Sequence, residues 1–152
     1  RQIMYTNCEN KPVGFAGQIA RGDQSTSKAW PLTNLDKEDI AAGVFVAHDD
    51  EHKGCTKIKS ASSKVAGIVV RPSLYPVVKV GDKADVMHIG QGDSIWAQVV
   101  AGDELKAGDD VAIVATGANA GMVTATAEAN IATSYVCVRV SGDVAEITRK
   151  EV

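Results

Sequence analysis

The chain lacks the features that mark membrane-spanning, secreted and nucleic-acid-binding proteins. No apolar run approaches the roughly 18 residues of a membrane span, and residues 1–11 have no apolar core typical of a signal peptide. The net charge is -3, and the basic residues are scattered rather than gathered in the stripe that nucleic acid requires. We therefore expect neither membrane nor nucleic acid as a partner.

Cysteine and aromatic residues are also scarce. The three cysteines have no CxxC spacing, and an odd number gives no complete disulfide framework. Cys137 lies inside SYVCVRV, where strand alternation predicts a buried free thiol. This usage favours folding in a reducing cytoplasm. Aromatics make up only 5% of the chain, and Ala and Val dominate its apolar residues.

A Val-rich chain punctuated by glycine favours strands over helices. No strand–helix–strand alternation is present, which argues against a parallel α/β sheet. The pattern predicts an all-β fold, a compact jelly-roll-like sandwich or barrel of about eight or nine short strands. The candidate strands are Val44–His48, Cys55–Lys59, Val65–Arg71, Ala84–Ile89, Ser94–Val100, Asp110–Ala115, Met122–Ala127, Tyr135–Val140 and Val144–Thr148.

The first part of the chain has no sustained periodicity. We expect residues 1–34 to form an extended amino-terminal arm, with a short strand at Gln18–Ala20, before a β domain at residues 35–152. Isolated apolar residues along the arm argue against full disorder. The stretch LDKEDIAAG predicts one helical turn, capped by Asn34 or Asp36 and ended by Gly43.

Gly-Asp is the most frequent turn signal in the chain. Six of the fourteen glycines are followed by aspartate, at Gly22, Gly81, Gly92, Gly102, Gly108 and Gly142. Glycine supplies the positive φ that turns need, and aspartate accepts hydrogen bonds from nearby backbone N–H groups. We interpret these aspartates, Asp103 and Asp109 among them, as architectural.

Metal and catalytic sites have weak support. His48 and His52 in HDDEH are the best metal candidates, but a polar hairpin tip is the more ordinary interpretation, and we expect no metal or other cofactor. No serine lies in GxSxG. A catalytic pair of Cys137 as nucleophile and His88 as base would require folding to bring the two side chains together, which the sequence does not show. Biotinyl and lipoyl carrier domains require a lysine at a hairpin tip, and Lys106 does not occupy that position. Arg21–Asp23 is the Arg-Gly-Asp tripeptide of integrin ligands, but a motif this short often occurs by chance.

The order of turns and strands resembles the structural cement, or head decoration, proteins of tailed bacteriophages. The similar features are the arm GQIARGDQSTSKAW, the step IAAGVFVAHDD and the strand VAGIVVRPSLYP. They continue through VGDKADVMHIGQGDSIWAQVVAGDELKAGDDVAIVATG to the final strand SYVCVRVSG. The resemblance covers most of the chain but consists of turns and strands without invariant chemistry.

The resemblance implies a non-enzymatic virion protein, made in the host cytoplasm and placed on the outer capsid surface. Its partners would be the major capsid protein and further copies of itself, as a dimer or trimer. Its contact candidates would be Val13, Phe15, Ile19 and Trp30 on the arm, with Tyr75 in SLYP. The residues leave two alternatives open, a non-viral carbohydrate- or metal-dependent β-sandwich module for binding or adhesion, and an enzyme whose site assembles only on folding.

Overall fold

The computed structural model describes residues 14–21, 29–49, 51, 54–72, 76–90 and 92–150. These residues form thirteen strands and no helix, which confirms the all-β prediction. Within the same ranges no helix is long and apolar enough to cross a membrane. The strands are β1 (Ile19–Arg21), β2 (Ala29–Asn34), β3 (Ile40–Ala41), β4 (Phe45–Asp49), β5 (Gly54–Lys57), β6 (Val65–Val69), β7 (Val77–Val78), β8 (Lys83–Met87), β9 (Ser94–Gln98), β10 (Asp110–Ile113), β11 (Val123–Thr124), β12 (Ile131–Ser141) and β13 (Val144–Arg149).

Six strands form an antiparallel sheet in the order β1-β9-β13-β12-β10-β11. Its longest hairpin joins β12 to β13 through Gly142, whose φ of 62° fits the turn expected at Ser-Gly-Asp. Alternation along β13 places Ala145 and Ile147 in the main core, so Glu146 lies on the opposite face. One face of the sheet therefore packs on the main core, and the central strands β9 and β13 are buried on both faces.

Five strands close into a small barrel in the order β2-β5-β4-β6-β8. Every pair is antiparallel except β2–β5. The barrel interior is filled by small side chains, which suit the narrow space inside few strands; they include Val46, Cys55, Val69, Ala84 and Val86.

The main core lies between the six-stranded sheet and the outside of the barrel. Phe45, Ile68 and Met87 from the barrel strands pack in one cluster with sheet residues such as Ile95 and Ile147. Phe45 also stacks on Tyr135 of β12, with ring centroids 5.6 Å apart. Ile, Val and Ala supply most of this core, which contains few aromatic side chains.

The helical turn predicted over LDKEDIAAG is wrong. Residues 36–38 form bends and Ile40–Ala41 form β3, which pairs with β7. The buried Asn34 side chain donates to the carbonyls of Val78 (3.1 Å) and Glu38 (3.2 Å), and its Oδ1 accepts the N–H of Asp36 (2.9 Å). These bonds compete with helical bonds and hold the segment across one end of the barrel.

The strand β2 was not predicted, because it lies in a stretch without alternation and contains Pro31. Proline has no backbone N–H to donate to a neighbouring strand. The barrel tolerates Pro31 because β5 pairs with β2 only at Thr33 and Asn34, at least two residues further along β2. The arm expected over residues 1–34 therefore includes β1, which extends the six-stranded sheet, and β2, which forms part of the barrel wall.

Candidate interaction surface

The segment from Gly14 to Gln18 is fixed against the body by backbone contacts. Gly17 donates to the carbonyl of Trp96 (2.7 Å), and the carbonyl of Gln18 accepts the N–H of Trp96 (2.9 Å). A Cβ on Gly14 would lie 2.2 Å from the Trp96 indole, so only glycine allows this approach. Gly14 is consequently held at a defined position over β9.

Phe15 extends from this fixed segment and is 47% exposed. The Arg71 guanidinium lies 5.3 Å from the Phe15 ring centroid, a cation–π distance. The Phe15 N–H also donates to Gln18 Oε1 at 3.1 Å. An exposed aromatic ring is thus held in one orientation before any partner arrives.

Ile19 has a different environment from Phe15. It lies in β1 opposite Ile95 of β9 and packs partly against the main core. Its substitution would therefore affect folding as well as any contact with a partner.

Trp30 occupies the open end of the barrel. It pairs with Val86 of β8, whose side chain lies inside the barrel. Because directly paired residues point to the same side of a sheet, the Trp30 side chain also lies on the inner side of the barrel wall. Asn34, at the other end of β2, lies where Val78 and Ile40 cover the barrel. Trp30 is 51% exposed and meets the His88 ring edge-on, with centroids 4.7 Å apart.

His88 joins Trp30 to the six-stranded sheet. Its Nε2 is buried and has no hydrogen-bond partner within the described ranges. Burial lowers the pKa of His88, and the charges of His48 and Arg149 lower it further. His48 is exposed on β4, and Arg149 lies 5.9 Å from the Tyr135 ring centroid. Trp30, His88, His48 and Arg149 therefore lie in one neighbourhood, although far apart in sequence.

Several clefts open on the described surface, among them one of about 350 Å³ beside Glu146 and Arg149. Three others lie near residues 36–41, His88 and His48. The first, about 710 Å³, lies beside residues 36–41 and has both signs of charge, with Lys57 Nζ 2.8 Å from Glu38 Oε2. The second, about 300 Å³, is lined by His88, Tyr135 and Arg149 among others. The third, about 250 Å³, is lined by His48, Lys59 and Lys64 among others.

The catalytic hypotheses gain no geometric support. The pKa of Cys137 is raised to about 11 by burial and by the charges of Asp109 and Glu146, whereas His88 interacts with Trp30, His48 and Arg149. A thiol with so high a pKa is a poor nucleophile at neutral pH. Lys106 lies in a turn, where its N–H donates to Asp109 Oδ2 at 2.9 Å.

The absence of a metal at His48 and His52 stays a prediction. Within the residues described, no three His, Cys, Asp or Glu side chains are grouped closely enough to hold an ion. His48 is among them, but His52 lies outside the described residues. Two contact candidates, Val13 and Tyr75, also lie outside them.

Sequence reasoning missed a buried charge on the outer face of the sheet. Glu146 is 2% exposed; its Oε2 accepts a hydrogen bond from Ser94 Oγ (2.7 Å) and its Oε1 from Arg139 Nε (2.8 Å). The Arg139 guanidinium also lies 4.9 Å from the Trp96 ring centroid. Strand alternation marks Glu146 only as a solvent-facing residue, so no sequence signal identifies this cluster.

Comparison with known proteins identifies the family. The family model of the XM1 gp53 minor capsid protein matches residues 6–150. A solved structure titled "The capsid of Myoviridae Phage XM1" contains a chain that matches with a TM-score of 0.74 at 16% identity, over 94% of each chain. That likeness shows the fold, and no curated protein matches the sequence. The chain therefore belongs to the XM1 gp53 minor capsid protein family and is a structural protein of a phage capsid.

Proposed function

We propose that this protein is a decoration, or cement, protein that binds the outer surface of the assembled phage head and bridges major capsid protein subunits. The observation that carries the proposal is a pair of half-exposed aromatic side chains, Phe15 and Trp30, each held by a second side chain. Aromatic anchors that are ordered before binding lose little entropy on docking. Membership in a capsid protein family supports the same role.

Bridging explains how a small protein can stabilise a large shell. A ligand that binds only the assembled state shifts the equilibrium toward that state. A protein that contacts two shell subunits holds each one near the other, so a modest free energy per contact is multiplied by avidity and by copy number. A role of this kind needs no catalytic group, and we propose that the protein is not an enzyme.

The proposal includes self-association and a division of labour along the chain. We propose a dimer or trimer, as symmetric assemblies are the usual form of such proteins. Residues 1–13 precede the anchored Gly14 in the sequence, and we propose that they contact a neighbouring subunit, by strand addition or by lying in a groove. The body would then present Phe15 and Trp30.

The test is co-sedimentation of purified protein with bare, closed heads added from outside. Substitution of an aromatic anchor costs about 2 kcal/mol or more, so Trp30→Ala should weaken binding by about 30-fold. Val80→Ala is the matched control, because Val80 is 50% exposed on a turn and has no aromatic ring. Thermal unfolding of each variant separates loss of contact from loss of fold.

Two results would count against the proposal. Wild-type protein that fails to sediment with closed heads would contradict binding at the outer surface. Binding by Trp30→Ala and Phe15→Ala equal to that of Val80→Ala would remove the aromatic anchors from the interface. Deletion of residues 1–13 tests the arm, because the larger deletion of residues 1–34 would also remove the barrel strand β2.

The non-viral adhesion module is the weaker alternative. Its support was a possible metal at His48 and His52 and the presence of loop aromatics, and no described cluster of ligands favours it. Family membership favours the capsid role instead.

A further inference from the structure

A cleft of about 350 Å³ crosses the outer face of the six-stranded sheet, the face turned away from the main core. Its lining includes Ser94 of β9, Glu146 and Thr148 of β13, and Val136 and Val138 of β12. These strands are neighbours in the sheet, in the order β9-β13-β12. The cleft, here called the outer-face groove, therefore crosses three paired strands.

The charges of the outer-face groove are ordered along β13. Glu146, at one end, is 2% exposed and accepts hydrogen bonds from Ser94 and Arg139. A carboxylate can accept about four hydrogen bonds, so Glu146 can bind a further cation beside Arg139. Arg149 and Lys150 line the other end, three and four residues further along the chain. The groove thus has a buried carboxylate at one end and two cations at the other.

The β12 side of the groove is apolar and only partly covered. Val138 is 40% exposed, and Val136 is partly buried. Both line the groove, so they form a short apolar strip beside the charged groups of β13. Covering such a strip with a further segment of chain removes apolar surface from water, which is favourable.

Gly14, the first described residue, lies on this same face. It packs against the Trp96 indole, where a Cβ would come within 2.2 Å of the ring. Trp96 pairs with Glu146 in the β9–β13 pair, so Gly14 lies one strand away from the Glu146 end of the groove. Because neighbouring strands lie about 4.8 Å apart, β12 is roughly 10 Å from β9.

Residues 1–13, which precede Gly14 in the sequence, match the groove in reach and in the order of their charges. An extended chain advances about 3.3 Å per residue, so about three residues are enough to cross from β9 to β12. Lys11 is three residues before Gly14 and Glu9 is five, so the cation comes first at the Glu146 end and the carboxylate follows. A segment tethered beside a site has a high effective concentration there, which favours it over a free partner.

We propose that residues 8–13 lie in the outer-face groove of their own chain. Lys11 pairs with Glu146, and Glu9 faces Arg149 and Lys150. The seven residues before Cys8 are then directed past the sheet, where they are available to a neighbouring subunit. The inference goes beyond the proposed function, because the groove and its occupant belong to one chain and need no shell.

Disulfide trapping tests this placement, because the proposed occupant has its own thiol at Cys8. Val136→Cys and Val138→Cys each add a second thiol on the β12 side of the groove. With oxidised glutathione, at least one of them should form a disulfide with Cys8 within one chain, detected by mass spectrometry of unreduced peptides. Val80→Cys is the matched control, since Val80 is 50% exposed but lies in the turn between β7 and β8, and it should form no such link.

Two substitutions in the trapped variant test the charge pairing. Lys11→Glu places a like charge at Glu146 and should lower the disulfide yield by roughly threefold, the size expected for one partly exposed ion pair. Lys11→Arg keeps the charge and should leave the yield unchanged. Cys55 and Cys137 do not compete for Cys8, because burial raises the pKa of each thiol to about 11. Thermal unfolding of each variant shows whether the fold is kept.

The outcomes separate this inference from the proposed function. No disulfide at either groove position, or an equal yield in Val80→Cys, would overturn the inference. A disulfide that joins two chains would also overturn it, because the groove would then hold a segment of a second copy. Equal yields in Lys11→Glu and Lys11→Arg would overturn the pairing of Lys11 with Glu146.

Binding to bare heads is measured on the same protein. If the disulfide forms within one chain and the protein does not bind heads, the inference stands and the proposed function fails. If the protein binds heads and no disulfide forms, the proposed function stands and the inference fails.

Discussion

Replacement of Asp103 by alanine tests whether the Gly-Asp aspartates are architectural. Asp103 Oδ1 accepts the N–H groups of Leu105 (3.1 Å) and Ala125 (3.0 Å), and Oδ2 accepts the hydroxyl of Thr124. These bonds tie the loop after β9 to the end of β11. Alanine removes all three acceptors and leaves the buried Thr124 hydroxyl without its carboxylate partner.

The expected loss follows from these bonds. Hydrogen bonds to a charged group contribute about 1.5–3 kcal/mol each when well shielded, and Asp103 is partly exposed, so we take about 1 kcal/mol for each. The free energy of unfolding should fall by about 3 kcal/mol, and the Tm by roughly 6 to 12 °C for a chain of this size. Asp103→Asn should lie between wild type and alanine.

The assay is urea unfolding followed by tryptophan fluorescence, with thermal unfolding as a second probe. Asp143→Ala is the control, because Asp143 also follows a turn glycine but its exposed carboxylate accepts no hydrogen bond from a described residue. Its effect should stay within about 0.5 kcal/mol. Asp103→Ala with wild-type stability would refute the architectural interpretation, and lost head binding with unchanged unfolding would assign Asp103 to the interface.

Three further predictions concern the core and the titrating groups. Gly67→Ala should destabilise the barrel by at least about 2 kcal/mol, because its Cβ would lie 2.4 Å from the Met87 carbonyl oxygen, whereas Gly81→Ala, with open space at φ 86°, should cost about 1 kcal/mol in urea unfolding. Cys55 and Cys137, whose pKa values are raised to about 11 mainly by burial, should resist iodoacetamide at pH 7.5 until urea unfolds the chain, and peptide mass spectrometry would reveal any earlier labelling. Because the pKa of His88 is lowered in the folded state, the unfolded chain binds more protons, and the free energy of unfolding should fall as the pH drops below about 6.5. His88→Gln should reduce that fall. An identical pH dependence of stability in the two proteins would contradict this prediction.

Strands whose apolar residues alternate between turn glycines could be predicted from the sequence. All nine predicted strands are present within a few residues of the expected bounds, and the glycine of every described Gly-Asp pair has a positive φ. The aspartates behave less uniformly, since only Asp103 and Asp109 cap backbone N–H groups by a described hydrogen bond. A local pattern predicts where the chain turns better than it predicts which side chain fixes the turn.

The missed elements owe their conformation to distant partners. The strand β2 is held by pairing with β8, fifty or more residues away, and β3 by pairing with β7 beside a buried asparagine. Neither pairing leaves a local period in the sequence. The expected helix caps, Asn34 and Asp36, accept local N–H groups, but their side chains also bond to the distant residues Val78 and Lys57, which hold the segment out of a helix.

The interaction surface was predictable only in part. Phe15 and Trp30 could be chosen because large aromatics in a polar stretch need an explanation, and both are half-exposed. The charged neighbours of Trp30 could not be predicted, since His48, His88 and Arg149 meet only when the barrel closes and packs against the six-stranded sheet. Whether Phe15 and Trp30 contact the shell stays a prediction.

Electron cryomicroscopy of heads decorated with the purified protein tests the central claim most directly. We expect density for the β body on the outer surface, over the junction of two neighbouring major capsid protein subunits, with the Trp30 end of the barrel in contact with the shell. Density inside the shell, or a body that touches one subunit only and keeps Trp30 in solvent, would contradict it.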